Sequence, residues 1–558
     1  MIYSTQEFAQ LAAHYCKENN IQNIIISPGS RNAPLTISFT NHPFFNCFSI
    51  VDERSAAFFA LGIAQQTKKP TVLVCTSGSA LLNYYPAIAE AFYSDIPLII
   101  LSADRPKHLL EIGDGQTIRQ ENVFANHIVD SLNLNTDISL SKNSFQFDAI
   151  LKLSILKKGP VHINIPFYEP LYDTTSTAIS FPKIPQKEKK SLLNETPLEV
   201  AYLEKFAEKW NNASKKMVLI GTHHPSELLQ TQINHLLEDP SVLVLTETTS
   251  NIFHDKTING IDKLIAPLQE EELLKLQPEI LLTLGGMVVS KKIKQFLRKH
   301  QPKEHWHVNP KWKQDTFHCL TQHFKISDAL FFSQFFFITK IKESNYQEHF
   351  LKQKEIVNKK HHEFLKTAPF SDLKSFETIF NTLPEQKMQL QLANSATIRY
   401  SQLFNLPDTL EIFCNRGTSG IDGSTSTACG ASIYKKESTL FITGDISFFY
   451  DNNALWNKYL KADFRIILIN NSGGGIFRFI EGPKSTNSLE YFETPHQLHA
   501  KHLCKQYQIE YLKASNLIEL ENHLKDFYTS SNRPKLLEIS TPQELNDVVL
   551  KKYFAFLK

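Results

Sequence analysis

The chain has 558 residues, 42% of them apolar and 21% charged, and a formal net charge of +2. Compact units run to about 100–200 residues, so this length predicts three domains. The near-zero charge balance excludes a general pull toward nucleic acid or membrane, and no run approaches the roughly 20 apolar residues of a membrane span.

Residues 1–20 read as an amphipathic helix, with Phe8, Leu11, Ala12 and Tyr15 at helical spacing. They lack the basic start and apolar stretch of a signal peptide, which predicts a cytoplasmic protein. From residue 21 short β-rich runs alternate with helical stretches: strands at 23–26, 71–75 and 97–101, helices at 52–65 and 80–93, and a closing strand at 160–165. This is the rhythm of a parallel α/β sheet, whose ligands sit where loops leave the strand C-termini. Pro166, Pro170, Pro182 and Pro185, with the charged run at 187–190, predict a solvated linker and a boundary near 180. A second series has strands at 217–220, 242–245, 280–284 and 305–308, and a third, beyond a charged helical stretch, has strands at 411–413, 439–443 and 465–469. The expected division is 1–180, 181–350 and 351–558. Seven cysteines, scattered without CxxC spacing and odd in number, argue against a disulfide framework or a zinc site and predict reduced, mostly buried thiols.

The strongest chemical signal is in the third part. Gly444-Asp445 ends one predicted strand and Asn470-Asn471 the next, with 26 positions from Asp445 to Asn471. A βαβ unit of that length brings both loops to one sheet edge. Asp445 offers a carboxylate oxygen, Asn471 an amide oxygen and Gly473 a backbone carbonyl, and oxygen-only donors favour Mg²⁺ over zinc. Taken alone, the same residues also read as an Asp helix cap and a plain polar loop. In the first part Glu53 stands just after a predicted strand, at the start of a small-residue helix over 55–62. A carboxylate is favoured there by the helix dipole alone.

These features do not stand alone. Ser27-Pro-Gly-Ser-Arg-Asn32, Asp52-Glu-Arg-Ser-Ala56, Thr76-Ser-Gly-Ser79, Ser102-Ala-Asp-Arg-Pro106, Gln116-Thr-Ile-Arg-Gln120, Asn415-Arg-Gly-Thr-Ser-Gly-Ile-Asp-Gly423 and the Asp445/Asn471 pair accompany one another in order. With them the chain resembles the 2-succinyl-5-enolpyruvyl-6-hydroxy-3-cyclohexene-1-carboxylate synthases, a thiamine-diphosphate-dependent enzyme family of menaquinone biosynthesis. The resemblance spans nearly the whole chain and is weakest in the middle. It implies three α/β domains with parallel sheets (pyrimidine, middle and diphosphate domains), thiamine diphosphate with Mg²⁺ or Mn²⁺, and a homodimer or homotetramer in which the first domain of one protomer faces the third domain of another. The implied activity is that of a transferase, which decarboxylates 2-oxoglutarate and adds the succinyl carbanion to isochorismate.

Residue roles follow from the same resemblance. Glu53 hydrogen-bonds the aminopyrimidine ring, Ile421 props the bent cofactor, and Ser419, Gly420 and Phe477, with Asp445 and Asn471, complete the cofactor site. Arg399 and Arg416, with Asn394, hold 2-oxoglutarate by its distal carboxylate. Ser30, Arg31, Arg105 and Gln116 receive isochorismate, and Lys291 and Lys292 offer a further positive charge from the middle domain. Glu53, Arg31, Gln116, Arg399 and Arg416 are the expected catalytic residues. Both substrates are dicarboxylates, and planar guanidinium groups bind carboxylates bidentately.

Gly113-Asp-Gly115 departs from the pattern, putting small residues before Gln116 where the family often has a second amide. It also imitates the cofactor motif, but no Asn-Asn follows at the required distance. His496, His499 and His502, spaced by three, are expected on a polar surface helix, and no histidine is expected beside the cofactor motifs. Two other readings compete. An acetolactate-synthase-like carboligase acting on pyruvate has no use for so many motif-bound arginines. A cofactor-binding protein without catalysis sits poorly with Glu53, Asp445 and Asn471 all being present.

Overall fold

The computed structural model describes residues 2–184, 195–479, 482 and 485–558; Pro185 and the charged run at 187–190 lie outside the described residues. Aliphatic runs such as Asn23–Ile26, Thr71–Cys75 and Leu98–Asp104 are buried along their whole length. That is the mark of parallel strands covered on both faces.

The first sheet runs, edge to edge, Asn46–Ser49, Asn23–Ile26, Thr71–Cys75, Leu98–Asp104, Val161–Pro166 and Asp130–Asn133, all parallel. The third runs Leu410–Cys414, Met388–Leu392, Thr439–Gly444, Arg465–Asn470, Lys535–Ser540 and Glu510–Ala514, also all parallel. Counted in chain order, both have the spatial order 2-1-3-4-6-5. The chain direction of the sheet reverses between the first and third strands, and ligands of open α/β sheets bind at such a switch point. The middle sheet is five-stranded and parallel, in the order 2-1-3-4-5. A short antiparallel pair, Tyr3–Ser4 with Thr174–Thr175, ties the start of the chain to the end of the first unit.

The first and third units share one hydrophobic core within the chain. At its centre, helix Glu53–Thr67 lies on helix Ser424–Ile433, and both are buried along most of their length. A Cβ at Gly62 would stand 2.1 Å from the Thr427 carbonyl oxygen, and one at Gly430 would stand 2.0 Å from that of Phe59. The helices therefore pack backbone to backbone, and this pins the segment that starts at Glu53 against the one that follows the loop 415–423. Among the described residues no helix is long and apolar enough to cross a membrane, and all seven cysteines are free, five of them buried.

Candidate active site

Strands Thr439–Gly444 and Arg465–Asn470 are neighbours, paired from Leu440 with Arg465 to Gly444 with Ile469. The 26-residue interval therefore resolves into two adjacent loops. Asp445 begins helix Asp445–Tyr450 and is buried. Its Oδ1 accepts the N–H of Ile446 at 2.7 Å, and its Oδ2 accepts that of Gly473 at 2.9 Å. Gly473 has φ of +152°, and a Cβ there would stand 2.8 Å from the Glu493 carbonyl oxygen, so only glycine brings this N–H to the carboxylate. The Gly473 carbonyl accepts from the N–H of Gly475 at 2.9 Å.

The two asparagines differ in kind. Asn470 is spent on structure, donating to Leu498 O at 2.8 Å and Glu538 Oε1 at 2.7 Å and accepting from the N–H of Ser472 at 3.1 Å. Asn471 donates through Nδ2 to Asp372 Oδ2 at 2.9 Å, while its Oδ1 is a buried acceptor with no hydrogen-bond partner among the described residues. A buried amide oxygen without a donor is costly unless something else binds it. A hard divalent cation shared with the Asp445 carboxylate fits that need.

The loop 415–423 leaves strand Leu410–Cys414 across the switch point. Asn394 is its hub: Nδ2 donates to the carbonyls of Asn415 and Gly420, both at 2.7 Å, and Oδ1 accepts from Arg416 Nη1 at 2.6 Å. Arg416 Nε is buried without a partner among the described residues. Ser419 takes a left-handed conformation, φ +63°, and its Oγ lies 3.4 Å from Met287 Sδ of the middle unit. The Ile421 carbonyl accepts from Ser447 Oγ at 2.9 Å, which fastens this loop to the helix of Asp445. Phe477 lies in the turn Gly475–Arg478, its ring 5.5 Å from that of Phe492.

Among the described residues no hydrogen bond or ion pair engages the guanidinium of Arg399, on helix Ala396–Ser401. Burial pushes its pKa down and the charge of Arg416 adds to that, while Asp262 and Glu247 oppose it. Burial likewise lowers Lys294, with Arg416, Arg298 and Arg399 adding to the effect against Glu247. Glu247 is buried, and desolvation pushes it up to about 7 despite the N–H groups of Ser290 and Val289 and the charge of Arg416. Arg399, Arg416 and Lys294 thus share a partly desolvated junction of the middle and third units with the carboxylates of Glu247 and Asp262, and Arg416 Nε keeps a donor for an anion. Lys291 is exposed at the start of helix Lys291–Lys299, and Lys292 lies over the ring of Phe554 at 5.3 Å. Lys294, one helical turn beyond Lys291, shares the field of Arg399 and Arg416.

In the first unit, Glu53 opens its helix and accepts from Asn83 Nδ2 at 3.3 Å, while Asp52 caps the helix by accepting from the N–H of Ser55 at 3.1 Å. Ser30 is exposed in the loop after Asn23–Ile26. Arg31 is buried, donating to Phe167 O at 3.1 Å and pairing with Glu169 at 3.0 Å. Arg105 is held by the loop just before Gln116, through Asp114 at 3.1 Å and the Gly115 carbonyl at 3.0 Å. Gln116 is left-handed, φ +55°, and crosses above Gly78. Behind these loops Ser102, Gln120, His162 and Asn164 form a buried network. Among the described residues no hydrogen bond or ion pair joins Glu53, Ser30, Arg31, Arg105 or Gln116 to Asp445, Asn471 or Gly473.

His502 is exposed on helix Lys501–Gln506 as expected, but the expectation for His496 and His499 needs correction. Helix Leu489–Glu493 stops at left-handed Thr494 and Pro495, and the next helix, Lys501–Gln506, begins beyond His496 and His499. His496 is not on a surface helix: its Nδ1 accepts from the N–H of Leu498 at 3.1 Å, and its Nε2 lies 3.3 Å from Asp445 Oδ2. A histidine therefore does stand beside the cofactor motif. His499 meets buried Glu538 at 2.7 Å. Asp372 and Glu90, which touch the asparagine and the arginine loop, also went unnoticed. Glu90 alone left a signal, as a carboxylate inside an otherwise apolar helical stretch.

The family model for the N-terminal TPP binding domain of thiamine pyrophosphate enzymes matches residues 6–131, and that for the middle domain of thiamine pyrophosphate enzymes matches residues 186–390. Curated relatives match end to end. The protein of Flavobacterium psychrophilum is 51% identical over 557 residues, 99% of either chain, and that of Flavobacterium johnsoniae 50% identical over 558 residues, again 99% of either chain. That of Christiangramia forsetii is 49% identical, with all of both chains covered. All three are named 2-succinyl-5-enolpyruvyl-6-hydroxy-3-cyclohexene-1-carboxylate synthase. With full-length identity near one half, the chain belongs to this family of thiamine-diphosphate-dependent synthases.

Proposed function

We propose that the chain carries out its family's reaction, decarboxylating 2-oxoglutarate and adding the succinyl unit to isochorismate with release of CO₂, and that the residues above divide the work. Thiamine diphosphate, when bound, supplies the electron sink for loss of the carboxylate. Asp445, Asn471 and the Gly473 carbonyl hold Mg²⁺, or Mn²⁺ in its place, against the cofactor's diphosphate. Ser419, Gly420, Ile421 and Phe477 shape the cofactor's seat, and Glu53 shares a proton with the pyrimidine N1′. Arg399 and Arg416 clamp the distal carboxylate of 2-oxoglutarate, with Asn394 orienting Arg416. Ser30, Arg31, Arg105 and Gln116 receive isochorismate.

The observation that carries this reading is the pairing of two needs in one place. The orphaned Asn471 Oδ1 asks for a cation beside Asp445, and the unspent guanidinium donors of Arg399 and Arg416 ask for an anion across the switch point. A monocarboxylate donor such as pyruvate, which has no distal carboxylate, would leave that second need unmet.

Two finer points belong to the same proposal. Among the described residues Glu53 has no polar contact with the Asp445 loops, and exposed Val51 and Leu82 lie two positions before it and next to its partner Asn83 in sequence. A second copy that brings its third unit to this face both covers the apolar side chains and completes the site, which makes the working form at least a homodimer. The seven free thiols support a reducing, cytoplasmic setting.

The test is CO₂ release from 2-oxoglutarate with thiamine diphosphate and Mg²⁺, with and without isochorismate, beside a pyruvate control. Release that depends strongly on isochorismate supports the reading. Release from pyruvate, or none from 2-oxoglutarate under any condition, refutes the assignment of substrates.

A further inference from the structure

Asn471 offers an oxygen to the cation only if its amide is turned the right way round. Reversed, the group would present two N–H hydrogens in place of a lone pair. Asp372 bears directly on that choice. It begins helix Asp372–Asn381, nearly 100 residues before Asn471, and is buried. Its Oδ2 accepts Nδ2 of Asn471 at 2.9 Å, and its Oδ1 accepts Oγ of Thr541 at 2.6 Å. Its own N–H donates to Asn546 Oδ1 at 2.8 Å, and Asn546 Nδ2 donates onward to the Thr541 hydroxyl at 3.2 Å.

Each oxygen of the carboxylate is therefore occupied by a donor, and the residue is fixed from two distant segments, one at Asn471 and one over 541–546. A carboxylate accepts and does not donate, so only the NH₂ end of the amide suits it. An Asn471 turned the other way would set two acceptor oxygens against each other in a buried site, at the cost of both groups' hydrogen bonds. Oδ1 is left as the free end, in keeping with its having no hydrogen-bond partner.

We propose that Asp372 is a positioning residue that selects the amide orientation of Asn471 and so presents Oδ1, not Nδ2, to the divalent cation. The inference rests on the reading that Asp445 and Asn471 hold that cation. Partners behind a ligand commonly tune metal affinity by about ten- to a hundredfold when removed.

The experiment is Mn²⁺ binding to the full-length protein with thiamine diphosphate, read by electron paramagnetic resonance as loss of the free-ion signal, with thermal melting to verify folding. Asp372→Ala is expected to weaken Mn²⁺ binding by about ten- to a hundredfold. In an Asn471→Asp background the same substitution should cost nothing, or improve binding, because a carboxylate presents oxygen whichever way it turns. Equal losses in both backgrounds would reduce Asp372 to a packing role, and wild-type binding by Asp372→Ala would also overturn the inference. Should the alanine variant not fold, Asp372→Asn takes its place: its amide can offer Asn471 either end, so a smaller loss is expected, again absent with Asn471→Asp, and unchanged binding refutes it. Asp445→Ala separates the two levels. If that variant binds Mn²⁺ as the wild type does, the cation site itself is wrong and the inference falls with it.

Discussion

The carboxylate of Glu90 accepts the N–H of Gly417 at 2.7 Å across 327 positions of sequence. It also takes the N–H and the hydroxyl of Thr418, at 2.6 and 2.8 Å. A buried carboxylate of the first unit thus holds the loop that carries Arg416 and Ser419–Ile421 of the third. Glu90→Ala would leave these donors without an acceptor, and each such buried group costs about 1–3 kcal/mol. A lower urea midpoint and a raised KM for 2-oxoglutarate are expected, with partial recovery of both in Glu90→Gln. An unchanged KM would show that the loop holds its shape without this contact.

Arg416 spends Nη1 on Asn394 and keeps Nε free in a buried position. A lysine there can bond to Asn394 or reach the substrate, but it lacks the fork that does both. Losing one hydrogen bond to a charged group costs about 1.5–3 kcal/mol. Steady-state kinetics of Arg416→Lys should show KM for 2-oxoglutarate raised by roughly ten- to a hundredfold. A value near wild type would remove Arg416 from the carboxylate clamp.

Arg105 is engaged by Asp114, in the loop just before Gln116. An incoming carboxylate must displace that partner. The pair is partly solvated, and such pairs are worth about 0.2–1 kcal/mol. Asp114→Asn should therefore lower KM for isochorismate by up to roughly fivefold, and a rise in KM would mean that Asp114 helps bind the substrate.

His162 is buried and lies 2.7 Å from the Ser102 hydroxyl, and desolvation pushes its pKa down to about 3 from 6.5. The folded protein keeps this ring neutral at pH values where the unfolded chain protonates it, so the unfolded state binds the extra proton. The contribution to stability is complete above about pH 6.5 and is lost progressively as pH falls toward about 3. His162→Gln, which can still hydrogen-bond Ser102, should unfold at a lower pH than the wild type when acid denaturation is followed by circular dichroism. An identical acid midpoint would show that other groups govern acid unfolding.

Much of the architecture was legible in sequence because parallel strands covered on both faces must be continuous aliphatic runs, as at 23–26, 71–75 and 465–469. Edge strands such as Asn46–Ser49 and Asp130–Asn133 are short and partly exposed, and Met388–Leu392 interleaves glutamines with its apolar residues. None of these carries the continuous pattern, and of the three only Asn46–Ser49, just before Glu53, is marked as a strand by the sequence.

By itself the sequence determined the local chemistry: which segments carry Asp445, Asn471, Arg31, Arg105, Arg399 and Arg416, and the spacing that sets Asp445 and Asn471 at the ends of neighbouring strands. That information is local because a motif is a short stretch with its own geometry. What only the tertiary structure decided is which groups answer one another: Asp372 behind Asn471, Glu90 under Gly417, Asp114 on Arg105, His496 beside Asp445, and Lys294 in the field of the arginines. These partners come from distant segments or from the far side of a helical turn. A buried polar group takes whichever donor or acceptor the packed chain brings to it, and nothing in its own neighbourhood of sequence names that partner.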